Sequence, residues 1–219
     1  SLKLFGSRFY PTSISSAVIL FQKGEDCSDA IKSYINYREQ NPLIEFYHSI
    51  LPLIIQDDTQ YVGISVNYSG QIIPAITLAA LIKKAFSRVK IIFGGSLFPA
   101  YANKISALNI FAEYSDALII YAGEYPWNNI IEYDTLDYIP GCMRSNGHSF
   151  IHNNLPLPQI KRALPDFSDY SLQRYLVPHN ILPYAMSIGC YWGKCSFCGY
   201  QSYKDICVKR YAQNDIDLG

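Results

Sequence analysis

Cys190, Cys195 and Cys198 lie close together in the run Gly189-Cys190-Tyr-Trp-Gly-Lys-Cys195-Ser-Phe-Cys198-Gly199. Thiolates this near in sequence can converge on one soft metal centre. A cubane iron–sulfur cluster has one more iron than these cysteines can ligate. The iron left over is open to a small molecule, as a reductive-cleavage enzyme needs. Two other readings of the same residues stay open. Cys195-x2-Cys198 is also a common structural zinc half-site, with Cys207 as a further ligand, although Cys190 and a lone Cys207 do not form the usual second pair. The third reading is free thiols.

The elements around the cysteines must position them. A strand is predicted from Leu182 to Ile188, running straight into the cysteine loop. Upstream, residues 61–135 alternate strands and helices. The apolar, β-branched run Tyr61–Val66 predicts a strand, Gln71–Phe86 a helix, Val89–Phe93 a strand, Phe98–Leu108 a helix and Ala117–Tyr121 a strand. Continuous apolar strands separated by helices point to a parallel sheet covered on both faces. The expected class is α/β, a doubly wound, Rossmann-like parallel sheet. Ligands bind such sheets outside the carboxyl ends of the strands. Ser65–Ser69, Gly94–Ser96 and Gly123-Glu124 occupy those ends.

Residues 1–60 read as mostly helical. Cys27, Ala30, Ile31, Tyr34 and Ile35 recur at helical spacing between Asp26 and Glu39. Asn41-Pro42 has the form of a helix start, with Asn as cap and Pro in the first position. The apolar stretch Leu43–Ile55 then predicts a buried helix. Residues 136–180 read as a connector punctuated by Pro, with a small hairpin turning at Asn146-Gly147 between Cys142-Met143 and Phe150-Ile151. Residues 181–219 are too few for an eight-stranded barrel, which takes about 250 residues. They read as the truncated start of one.

The stretch Ser187-Ile-Gly-Cys-Tyr-Trp-Gly-Lys-Cys-Ser-Phe-Cys-Gly199 resembles the cluster loop of radical S-adenosylmethionine enzymes. The family pattern is one residue shorter in the first gap, which here holds Tyr191, Trp192, Gly193 and Lys194. The resemblance implies that Cys190, Cys195 and Cys198 hold a 4Fe-4S cluster and that Phe197 sits near the adenine of S-adenosylmethionine. Val62-Gly-Ile-Ser-Val66, Ile91-Ile-Phe-Gly-Gly95 and Asp116-Ala-Leu-Ile-Ile-Tyr-Ala-Gly-Glu124 are similar to the cobalamin-binding domain that precedes the radical barrel in one subclass. That likeness implies that Ser65, Gly94 and Gly95 cradle the nucleotide tail of the corrinoid, and that the loop at Glu124 borders it. Leu157-Pro158 and Leu164-Pro165-Asp166-Phe167 resemble the connector between the two domains. No Asp-x-His-x-x-Gly motif, the source of a cobalt-ligating His in some cobalamin proteins, occurs in the sequence. His48, His148, His152 and His179 lack that setting and read as surface or packed residues.

The resemblance implies an enzyme that makes a deoxyadenosyl radical, with cobalamin moving a methyl group to an unreactive carbon of a small molecule or peptide. The truncated barrel implies that this stretch alone is inert and lacks its cluster. Its exposed aromatics would favour self-association. A rival of another class is a non-catalytic, zinc-stabilised α/β binding module. A further alternative keeps the radical chemistry and drops cobalamin.

Bulk properties fit a cytoplasmic protein free of nucleic acid and membrane. Lys+Arg and Asp+Glu are both 18, so no excess of positive charge offers a phosphate footprint. No apolar stretch approaches the roughly 18 residues that span a bilayer. Ser1 in place of Met marks a processed or excised chain, and no secretory leader is visible. The clustering of half of the 6 Cys points to a reducing compartment rather than a disulfide framework. The 19 Tyr read chiefly as packing.

Overall fold

The computed structural model describes residues 28–101, 104, 108–153, 155, 166–174 and 179, and the backbone of two short strands, β1 (Ser13–Ile14) and β2 (Ile19–Leu20). These two pair antiparallel with each other. The chain divides into two compact units, Ser1–Leu157 and Pro158–Gly219. In the second unit, Asp166 Oδ1 accepts the Ser168 N–H at 2.9 Å, and a 3-10 turn follows at Leu172–Arg174.

The first unit is α/β. Its sheet runs β3 (Tyr61–Ser65), β4 (Lys90–Gly94), β5 (Ala117–Ile119), β6 (Cys142–Ser145) and β7 (Phe150–Ile151), side by side in chain order. β3, β4 and β5 are parallel, as their continuous apolar sequences predict. The expectation of an all-parallel sheet is corrected by β6, which pairs antiparallel with β5, and by β7, which pairs antiparallel with β6. Residues 135–141 carry the chain back to the carboxyl edge, where Cys142 pairs with Ile119, so β6 must enter from that side. Strand order does not reverse among the described strands, so they contain no topological switch point.

The hairpin expected at Asn146-Gly147 forms. Gly147 takes φ 87, a left-handed value that glycine adopts without strain. Asn146 Oδ1 accepts the N–H groups of His148 and Ser149 at 2.9 and 2.8 Å. This hairpin forms the far edge of the main sheet.

Helices cover both faces. α1 (Ser28–Asn36) and α2 (Leu43–Ile54) pack on α3 (Ile72–Ala85), and with α4 (Asn109–Glu113) they bury the face that carries Ile64, Ile91, Phe93 and Leu118. Phe111 meets both Phe93 and Phe98 edge-to-face at centroid separations of 5.0 Å, and Phe93 and Phe98 lie tilted to each other at 6.4 Å. The opposite face carries Ile92, Ala117, Ile119 and Cys142, covered by α5 (Glu124–Tyr133) through Trp127 and Ile130. Among the described residues no helix is long and apolar enough to cross a membrane.

Asn41 is fully buried and joins three helices. Its Oδ1 accepts the Leu43 N–H at 3.1 Å, capping α2 as expected. Its Nδ2 donates to the Tyr34 carbonyl of α1 at 3.2 Å and to Thr77 Oγ1 of α3 at 2.9 Å.

Two helix expectations are refined. The described part of Phe98–Leu108 holds a 3-10 turn at Phe98–Tyr101, residues 102, 103 and 105–107 lie outside the described residues, and an α-helix follows at α4. Phe98 turns inward onto Phe93 and Phe111. The second concerns α2, which is buried only along the stripe of Ile44 and Leu51. Phe46, Leu53 and Ile54 on its other side are exposed, because one helix, α3, offers a single packing groove.

Candidate functional site: the carboxyl edge of the parallel strands

Ser65 and Gly94 are the last residues of β3 and β4, and they sit side by side in register. Alternation along the strands puts both on the face that α5 covers. A Cβ on Gly94 would meet the Ile119 carbonyl oxygen only at 3.7 Å, which is ordinary contact.

Gly95 meets a demand of the chain itself. Its φ is 115, and a Cβ there would stand 2.4 Å from the Val66 carbonyl oxygen and 2.6 Å from its nitrogen. The two loops cross at this point. The Val66 N–H donates to the Gly94 carbonyl at 2.7 Å, and the Leu97 N–H donates to the Val66 carbonyl at 3.1 Å. Gly95 is therefore required by the chain itself, whatever lies beyond it.

α5 runs antiparallel to β3. Its end, Asp134, accepts a short hydrogen bond from the Tyr61 hydroxyl at the start of β3. In its middle the Trp127 ring lies over Gly63, 3.1 Å from where a Cβ would be. The start of α5 thus lies at the Ser65 end. Glu124 opens that helix, exposed, where the helix dipole favours a carboxylate. No hydrogen bond among the described residues links Glu124 to Ser65, Gly94 or Gly95. At Gly123, the residue before it, an added Cβ would meet nothing within 4 Å.

The edge carries side chains that sequence reasoning did not single out. Asn67 Oδ1 accepts the Ser96 N–H at 3.0 Å, and Asn67 Nδ2 donates to Ser65 Oγ at 3.3 Å. Gln71 Oε1 accepts the N–H groups of Asn67 and Tyr68 at 2.7 and 3.2 Å. A polar residue following a strand's last apolar position was the available signal. Ser65, Asn67, Tyr68 and Ser96 are all exposed. No charged residue occurs in Ser65–Gln71 or Gly94–Tyr101. Hydroxyl and amide groups of this kind suit an uncharged, hydrogen-bonding ligand surface, such as the amide-fringed rim of a corrinoid. Neither loop supplies an Arg or Lys for a multiply charged phosphate.

The amino edge differs. An open cleft there is lined by Tyr61, Lys90, Asp116, Asp134 and Arg144. Its charges are largely matched within the chain. Arg144 Nη1 lies 2.9 and 3.0 Å from the two Asp137 oxygens, and Asp116 Oδ2 accepts the Ile91 N–H at 2.8 Å. Burial, reinforced by Asp134, pushes the Tyr61 hydroxyl up to about 12. Cys142 is a buried free thiol, and burial with Asp137 nearby pushes it up to about 12 as well. It is a packing residue rather than a nucleophile or metal ligand at neutral pH.

Cys190, Cys195, Cys198 and Phe197 lie outside the described residues. Among the described residues no group of three or more His, Cys, Asp or Glu is placed to hold a metal ion. As a donor set, three clustered thiolates suit an iron–sulfur cluster. Compared with known proteins, the chain matches no family model, no curated protein and no solved structure.

Proposed function

We propose that this chain is part of a cytoplasmic radical S-adenosylmethionine enzyme whose α/β unit offers its carboxyl edge to cobalamin. The observation that carries the reading is the Cys190-x4-Cys195-x2-Cys198 spacing with Phe197 inside it. The neutral polar edge formed by Ser65, Asn67 and Ser96 supports the corrinoid part.

When bound, these groups supply an electron that cleaves S-adenosylmethionine to a deoxyadenosyl radical, and a methyl group for an unreactive carbon. The chain's own residues bind and orient. Cys190, Cys195 and Cys198 would hold the cluster and leave one iron open. Phe197 would offer an apolar face to the adenine. Ser65 and the Gly94 backbone would receive the corrinoid at the strand ends, and Glu124 would border it from the start of α5. The substrate is a small molecule or a peptide.

The test is an anaerobic titration of the iron- and sulfide-reconstituted chain with hydroxocobalamin, followed by its visible spectrum, and with S-adenosylmethionine, followed by calorimetry. Stoichiometric binding of both supports the reading. Binding of S-adenosylmethionine alone removes cobalamin from it, and binding of neither overturns it.

A further inference from the structure

We infer that Asn67 is the positioning residue of the carboxyl edge. It latches the loop after β4 to the loop after β3, so that Ser65 and Ser96 face a ligand in one fixed arrangement. The inference deepens the corrinoid reading above and rests on it for the identity of the ligand.

Beside the two backbone hydrogen bonds of Val66, the Asn67 side chain makes the side-chain connections between the loops. The Asn67 carbonyl side receives the Ser96 N–H at 3.0 Å and faces the Ser96 hydroxyl at 3.2 Å. The same hydroxyl also reaches the Asn67 backbone carbonyl at 3.3 Å. The amide side donates to Ser65 Oγ at 3.3 Å. Asn67 is therefore wedged between a hydroxyl on its own loop and the backbone of the neighbouring loop. Gln71 holds Asn67 from behind, through the Asn67 N–H at 2.7 Å.

These bonds fix what an incoming ligand meets. The donation from Asn67 leaves the Ser65 hydroxyl proton free to turn outward and donate. The Ser96 hydroxyl is spent on Asn67, so Ser96 presents its remaining acceptor lone pairs. The edge thus offers a donor and an acceptor at set positions, which pre-organisation makes worth more than the same groups on mobile loops. All the contacts are exposed, so water competes for them. Only an amide, with a donor and an acceptor on one planar group, bridges both partners at once.

The test compares the full 219-residue chain with Asn67→Ala and Asn67→Asp, using hydroxocobalamin as the probe and amide hydrogen exchange at Ser96 as a second readout. Asn67→Ala should speed Ser96 exchange and weaken hydroxocobalamin binding by about tenfold or more. Asn67→Asp keeps the acceptor for the Ser96 N–H. It should restore Ser96 protection and bind more tightly than Asn67→Ala. Wild-type binding by Asn67→Ala, or slow Ser96 exchange in it, overturns the inference while leaving the corrinoid reading intact. A wild-type chain that protects Ser96 through Asn67 but does not take up hydroxocobalamin overturns the corrinoid reading, and with it the ligand-facing role of the latch.

Discussion

Gly95 crosses Val66 so closely that a Cβ on Gly95 would stand 2.4 Å from the Val66 carbonyl oxygen. The atoms it would strike are backbone, tied at both ends by the Val66–Gly94 and Leu97–Val66 hydrogen bonds. They cannot swing aside as a side chain would. With φ at 115, even alanine is strained here. Gly95→Ala should therefore cost about 2–4 kcal/mol of stability without any ligand present. Urea unfolding checks this. An unchanged midpoint would mean that the loops do not cross as described. A loss of ligand binding in a Gly95 variant would accordingly say little about direct contact.

Gly63 and Trp127 form a second close pair, but the neighbour there is a side chain. A Cβ at Gly63 would lie 3.1 Å from the indole, so the ring must give by a few tenths of an ångström. Gly63→Val demands more and should lift α5 from the sheet, at a cost of about 1–3 kcal/mol. Trp127→Ala should relieve the clash, so the double variant should be more stable than the sum of the two single losses. Simple additivity in a double-mutant cycle would contradict that contact.

Asn41 predicts a larger effect. Asn41→Ala removes the α2 cap and leaves Thr77 without its Asn41 partner in a fully buried setting. A loss of about 2–4 kcal/mol is expected. Thr77→Val should cost less, about 1–2 kcal/mol, because Asn41 keeps its bonds to Tyr34 and Leu43. Thermal unfolding of both variants gives the order, and a reversed order would count against the three-helix junction.

Alkaline stability has a definite sign. Cys142 rises from an ordinary value of 9.0 to about 12, and Tyr61 from 10.0 to about 12. Each group is held neutral in the fold and ionises more readily when unfolded. Their contribution is complete below pH 9.0 and is lost progressively as the pH climbs towards about 12. Cys142→Ala should therefore flatten the fall in stability over that window. In the native protein at neutral pH, Cys142 should resist alkylation until unfolding exposes it. Rapid labelling of native Cys142, read by mass spectrometry, would contradict its burial.

Local sequence patterns carried much of this fold. The parallel strands were legible because Val62–Ser65, Ile91–Phe93 and Ala117–Ile119 are apolar runs with helices between them. The Asn41-Pro42 helix start and the Asn146-Gly147 turn were legible because each depends on short-range chemistry. The antiparallel return of β6 was not, since it depends on the path of residues 135–141 across a face that only the folded sheet provides. Nor was the exposure of Phe46, Leu53 and Ile54, because apolar composition does not say how many neighbours a helix will find. At the candidate site, the strand ends at Ser65 and Gly94 were legible from position. The latch by Asn67 was not, because Asn67 and Ser96 are distant in sequence and meet only through the register of β3 with β4. The backbone demand on Gly95 was not legible for the same reason: a glycine after a strand does not reveal that the neighbouring loop crosses it.

The most direct test of the central claim is the iron, acid-labile sulfide and zinc content of the chain after reconstitution with iron and sulfide without oxygen, set beside a variant with Cys190, Cys195 and Cys198 all changed to Ser. The account predicts about four irons with matching sulfide per wild-type chain, little zinc, and loss of the iron and sulfide in the triple variant. Stoichiometric zinc without sulfide in the wild-type chain, or iron retained by the triple variant, would contradict it.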